Sequence, residues 1–131
     1  MANGVFTVAK EAFMNGDLDM NTNTIRARLV KSTYTQDLAD TSMTPITKIT
    51  GTTDQTLGSP TIADGVFDAA DPTWTAVAGG ETITACVVFK FVTDDAGSTP
   101  IVWIELSDTA TNGSDITVNM DSGANKIFAF T

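Results

Sequence analysis

The stretch Thr82-Ile83-Thr84-Ala85-Cys86-Val87-Val88-Phe89-Lys90-Phe91-Val92 decides the fold. Its odd positions, Ile83, Ala85, Val87, Phe89 and Phe91, are all apolar. A repeat of two puts such residues on one face of an extended chain. Most of the remaining positions carry β-branched or aromatic side chains, which suit a pleated, packed surface. This is the strongest strand in the sequence. Gly79-Gly80 precedes it as a turn, and Asp94-Asp95-Ala96-Gly97-Ser98 follows it as another. Beyond that turn, Pro100 to Leu106 is apolar on both faces except for Glu105. A run of that kind belongs in the middle of a fold or in a subunit contact.

Further out the pattern is repeated more weakly. Thr24 to Lys31 alternates Ile25, Ala27 and Leu29 against Arg26, Arg28 and Val30. It reads as a strand with one largely solvated, basic face, whose two arginines lie in water or pair with acids of a neighbouring strand or subunit. Ile62 to Asp68 and Thr73 to Val77 read as strands separated by Ala69-Ala70-Asp71-Pro72, and Pro72 keeps that point out of a central strand. Thr47 to Thr50 and Gln55 to Leu57 read as short strands around a turn at Gly51, and Ser32 to Pro45 as a long loop with a turn near Gln36 to Asp40. At the end, Asp115 to Met120 and Lys126 to Thr131 flank the turn-rich Asp121-Ser-Gly-Ala-Asn125, the pattern of a β-hairpin whose last strand closes a sheet. Helical spacing occurs once, over Val5 to Asn15, with Val5, Val8 or Ala9, Ala12 and Phe13 on one face. Asn3 is placed to cap its start and Gly16 to end it in the left-handed conformation.

With 131 residues, 42% of them hydrophobic and 18% charged, the chain has the composition of one folding domain spanning 1–131. The strand spacing and the polar turns predict a mainly β fold, a single β-sandwich or jelly-roll-like domain with one short N-terminal helix. The net charge of −9 arises from sixteen acids against seven bases. Clustered Lys and Arg are needed to displace counterions from nucleic acid, and here only Arg26 and Arg28 are close together, so neither nucleic acid nor an anionic membrane is an expected partner. No basic start with an apolar stretch marks an export signal, and no window approaches the roughly 18 apolar residues of a membrane span. Cys86 cannot form an internal disulfide, and its apolar neighbours make it a small buried side chain.

The chemistry of catalysis is hard to assemble from these residues. The sequence has no histidine, which removes the usual general base near neutral pH and rules out Ser-His-Asp and Cys-His arrangements within one chain. Asp17 with Asp19, Asp64 with Asp68 and Asp71, and Asp94 with Asp95 are the available carboxylate groups. All lie among Gly, Asn, Ser or Pro, where Asp serves turns by accepting from nearby amides. The same residues lack the calcium-loop pattern with its closing Glu, which leaves open only a weak structural calcium site on their oxygens. Gly79-Gly80 has no phosphate-loop spacing, and Asn112-Gly113-Ser114 reads as an ordinary loop. No enzyme activity, cofactor or metal is expected. Trp74, Tyr34, Arg26 and Arg28 are the candidate partner contacts: Trp74 lies between two threonines, Tyr34 is the one loop aromatic that looks free, and the arginines share a strand face.

Four segments in order carry a resemblance: Phe13-Met-Asn-Gly-Asp-Leu-Asp19, the strand ending Leu29-Val30, Asp64-Gly-Val-Phe-Asp-Ala69, and Asp115-Ile-Thr-Val118 followed by Gly123-Ala-Asn-Lys-Ile-Phe128. Together they resemble small virion structural proteins of tailed bacteriophages, of the head-decoration (cement) type. The match covers nearly the whole chain; Ser32 to Pro60 matches least, and Ser114 stands where the related pattern commonly has glycine. The resemblance implies a protein on the capsid exterior, assembled in the host bacterial cytoplasm. It would bind the outer face of the major capsid protein lattice, as a trimer or dimer, and stabilise the DNA-filled head. A tail- or neck-associated module for host attachment is the alternative that it leaves open.

Overall fold

A computed structural model describes residues 3–119 and the backbone of Phe128–Ala129. In chain order the elements are β1 (Gly4–Val5), α1 (Thr7–Asn15), β2 (Ile25–Lys31), β3 (Gln55–Thr56), β4 (Thr61–Ala63), β5 (Val66–Asp68), β6 (Thr73–Trp74), β7 (Thr82–Val92), β8 (Asp94–Ala110), β9 (Ile116–Thr117) and β10 (Phe128–Ala129). They form antiparallel sheets in the orders β1-β8-β7-β2-β3, β10-β5-β4 and β6-β9. The protein is therefore mainly β with one short helix. The Thr82–Val92 stretch is β7, and it runs through the middle of the largest sheet.

The register of that sheet sorts its side chains into two faces, because directly opposed residues point the same way. Arg26 opposes Phe89, Arg28 opposes Val87, Val87 opposes Trp103 and Trp103 opposes Gly4, so all share one face. Ala27, Val88, Val102 and Val5 share the other. Both faces of β7 are buried from Ala85 to Phe89. The irregular chain between β2 and β3 covers the arginine face: Met43, Ile46 and Ile49 are fully buried, and the Leu38 side chain lies against Gly4. Helix α1 packs against β8. Past its end, Lys90 donates to the Asp17 carbonyl at 2.6 Å.

Several expectations are corrected. The helix starts at Thr7, not Val5, since Val5 pairs with Val102 in the sheet. Asn3 caps nothing there; its Oδ1 accepts the Glu105 N–H at 2.6 Å. Gly16 does end the helix with φ of 80°. Ile62 to Asp68 is two strands, folded back at Asp64-Gly65, whose φ angles of 53° and 77° make the tight turn favoured by Asp-Gly in hairpins. Of Thr73 to Val77 only Thr73–Trp74 is strand, and Ala76 has φ of 48° with its N–H on Asp115 Oδ1. The closing hairpin is also revised: β9 pairs with β6 and β10 with β5, so these strands complete two different sheets. Its turn, Asp121 to Asn125, lies outside the described residues.

Asp94 to Ser98, expected as a simple turn, opens β8, whose register against β7 shifts three times. Extra residues on one strand bend it and leave a position unpaired; between Val88–Val102 and Phe89–Pro100 the residue without a partner is Ile101. Gly97 is needed in the first irregularity, because a Cβ there would sit 2.8 Å from the Val92 carbonyl oxygen. Backbone cannot yield as a flexible side chain does. Gly97→Ala is therefore expected to cost about 1–3 kcal/mol, read as a lower urea midpoint with an unchanged slope; an unchanged midpoint would show that the turn relaxes freely. No helix among the described residues is long and apolar enough to cross a membrane.

Candidate functional site

Arg26 and Arg28 alternate onto one face of β2, and the fold uses them differently. Arg28 is 2% exposed. Its Nε donates to Asp54 Oδ1 at 3.0 Å and its Nη2 to Asp54 Oδ2 at 2.7 Å, a side-on fork on one carboxylate. Nη2 also donates to Asp95 Oδ1 at 2.7 Å, and Nη1 to the carbonyls of Met43 and Ile46 at 3.2 and 2.8 Å. A guanidinium has five N–H donors, and five acceptors surround this one. Burial opposes its charge, but the hydrogen bonds to Asp54 and Asp95 outweigh that and raise its pKa above the ordinary arginine value. The expected solvated arginine is instead an internal staple; the alternative of pairing with acids holds, with both acids on the same chain.

The staple fixes the cover on the arginine face. Met43 N–H donates to the carbonyls of Asp95 and Ser98 at 3.1 and 3.2 Å, tying the same loop to the start of β8. Arg26 is half-buried, with its Cζ 3.7 Å from the centroid of the Phe91 ring. Its Nε is shut off from solvent and has no acceptor. A buried donor left without a partner costs about 1–3 kcal/mol, and the cation–π stack offsets part of that by about 1–2 kcal/mol.

Tyr34 is not free. Its hydroxyl donates to Asp40 Oδ2 and accepts the Asp37 N–H at 3.3 Å, and its ring lies 5.7 Å from that of Trp103 at 38°. Burial and then the Asp40 hydrogen bond push its pKa well above the ordinary tyrosine value. Trp74 is buried, with Nε1–H on the Thr53 carbonyl at 2.9 Å. It floors a cleft of about 220 Å³ lined by Thr50, Thr52, Thr53 and Gln55. A second, open and more apolar cavity of about 380 Å³ lies between the end of α1 and the β4–β5 hairpin, lined by Phe13, Leu18, Met20, Ile62, Val66 and Phe67.

Asp19 and Asp94 serve nearby amides, as expected of turn aspartates, whereas Asp95 is drawn to Arg28. Asp19 Oδ1 accepts the amides of Asn21 and Thr22, and those bonds lower its pKa. Asp94 Oδ1 accepts the Gly97 amide at 2.9 Å. Burial pushes the Cys86 thiol up to about 12, so the thiolate that would attack or ligate is not formed at neutral pH. Among the described residues no cluster of His, Cys, Asp and Glu could hold a metal ion. No protein-family model, curated protein or solved structure matches the chain.

One electrostatic contact was not anticipated. Glu81 accepts from Lys31 Nζ at 2.7 Å, from the Thr50 amide at 2.8 Å and from the Thr50 hydroxyl at 2.6 Å. The Lys31 bond first, then Thr50, hold its carboxyl at about 2, below its ordinary 4.5. A depressed folded-state pKa adds stability that is complete above 4.5 and is lost as pH falls toward 2. The urea midpoint should therefore fall across that window, and Glu81→Gln should flatten the fall. An equal slope in the variant would assign the acid sensitivity to other carboxylates.

Proposed function

We propose that this chain is a structural component of a bacteriophage particle, a decoration protein that binds the outer face of the capsid lattice and stabilises the filled head. The carrying observation is the resemblance spread in order from Phe13 to Phe128. The physical character of the fold is consistent with that role. A staple such as Arg28 favours a rigid module, and a rigid module loses little freedom on docking. Many copies repeated by symmetry hold a shell through contacts that are individually weak. The net charge of −9 keeps such a protein off the packaged nucleic acid. The finer architecture belongs to the same proposal: a jelly-roll-like sandwich, in which the two small sheets form a second layer over the large one. Its support is that Phe67, Trp74 and Val118 join the same buried cluster as β2, β7 and β8. The major capsid protein and further copies of this chain, as a trimer or dimer, are the proposed partners, without catalysis.

The test is a cryo-EM map of the purified particle, with copy number from a quantitative gel. Density for this chain on the outer shell at local symmetry axes, in capsid-scale numbers, is the expected result. A handful of copies at the tail or neck would replace decoration by host attachment.

A further inference from the structure

Arg26 and Arg28 are two residues apart on one strand face, yet only Arg28 is saturated. Among the described residues the Arg26 guanidinium has no hydrogen-bond or ion-pair partner, although the chain carries sixteen acids. Asp54 and Asp95, whose carboxylates reach this face, are both held by Arg28. The Arg26 plane is fixed over Phe91 at 3.7 Å, and its Cα partner on β3 is Thr56, which is exposed. Its buried Nε cannot be reached by a ligand, which leaves the terminal pair, Nη1 and Nη2, as the available fork.

We infer that Arg26 is a preformed receptor for a carboxylate, an Asp or Glu side chain on the surface of a partner protein, bound end-on through Nη1 and Nη2. A planar fork held by stacking has lost its rotamer freedom before the partner arrives, so less is lost on binding. A carboxylate matches the spacing of the fork and completes the donors that the fold leaves open. Phosphate has similar oxygens, but a nucleic acid brings an array of charges against a chain with a net charge of −9 and no second unsatisfied arginine. One carboxylate at the edge of a protein interface meets no such barrier.

The identity of the partner rests on the shell-binding reading: the acid would stand on the capsid lattice. The experiment uses heads purified without this protein, mixed with the full chain, with bound copies measured against free concentration by sedimentation. The wild type is expected to bind saturably. Arg26→Met, which keeps the stem, is expected to bind about tenfold more weakly or worse. Arg26→Lys keeps the charge but not the fork and should be nearly as weak, whereas Lys10→Met, on an exposed helix position, should match the wild type. Circular dichroism and urea midpoints establish that each variant is folded; if Arg26→Met is not, Arg26→Lys decides. Wild-type binding matched by both Arg26 variants overturns the receptor assignment alone. Failure of the wild type to bind heads overturns the shell-binding reading and the assignment with it. Wild-type binding to a short DNA duplex that Arg26→Met abolishes replaces the carboxylate by phosphate.

Discussion

Arg28→Met should lower the free energy of unfolding by about 3–5 kcal/mol, the usual cost of removing one partner from a buried ion pair. The size follows from what is left behind. Asp54, with a side chain only 12% exposed, would lose all its guanidinium contacts. The Met43 and Ile46 carbonyls would lose their shared donor at the same time. Arg28→Lys should recover less than half of the loss, because an ammonium has three donors and no planar fork. Asp95→Asn should cost under about 1 kcal/mol, since Asp95 is 48% exposed and water screens that bond. In the double variant Arg28→Met with Asp54→Leu, the loss should shrink, because no orphaned charge remains. Urea unfolding followed by circular dichroism measures all four. An Arg28→Met chain within about 1 kcal/mol of wild type would mean that the staple contributes no more than a surface pair.

That staple also marks where sequence reading stopped. Alternation in Thr24 to Lys31 assigns Arg26 and Arg28 to one face correctly, and the ordinary preference of arginine for water then makes that face solvated. What hides Arg28 comes from elsewhere: Asp54 and Asp95 are 26 and 67 residues away, and the other acceptors are main-chain carbonyls, which no side-chain pattern announces. Two signals were present. Val30 shares the face and is apolar, and Met43, Ile46 and Ile49 recur at intervals of three, from the end of the segment read as loop into the short strand expected at Thr47 to Thr50; all four are buried. An apolar residue on the supposed wet face, with an unassigned apolar series nearby, is the pattern of a face awaiting a cover.

Strands were more legible than their partners. β7 is a strand as its alternation predicts, although both its faces are buried from Ala85 to Phe89, and the period of two in Ile116 to Asn119 is reproduced, with Val118 buried and Thr117 and Asn119 exposed. Alternation carries no information about which strand lies alongside, and a short intervening turn made β9 and β10 look like mates. They pair instead with β6 and β5, more than forty residues back. The Asp64-Gly65 turn is written in its dipeptide, since Asp-Gly between short apolar runs is a hairpin signal. Of the four contact candidates, Arg28 and Trp74 are interior, Tyr34 is anchored to Asp40 and Trp103, and Arg26 alone keeps unused donors among the described residues.

Trp103→Ala should cost about 3–5 kcal/mol, the range for deleting a large aromatic from a packed interior. Trp103 is fully buried at the centre of β8, opposite Val87 on one side and Gly4 on the other. Its Nε1–H donates to Glu105 Oε2 at 2.6 Å, and its ring meets Tyr34. Removing it empties the space where β1, β8 and the Tyr34 loop converge, and the sheet backbone cannot close that space without breaking its ladder. The loss should therefore be both global and local. The urea midpoint falls, and limited proteolysis under native conditions cuts faster between residues 32 and 54, where the cover has lost the contact that Tyr34 makes with the sheet. Trp103→Phe should keep most of the packing and cost less, while leaving Trp74 as the single tryptophan. Native fluorescence of that variant should then report a buried indole. If Trp103→Ala lowers the midpoint with no faster cleavage in that segment, Arg28 and the backbone bonds of Met43 and Ile49 hold the cover, and the Tyr34–Trp103 contact is packing without a fastening role.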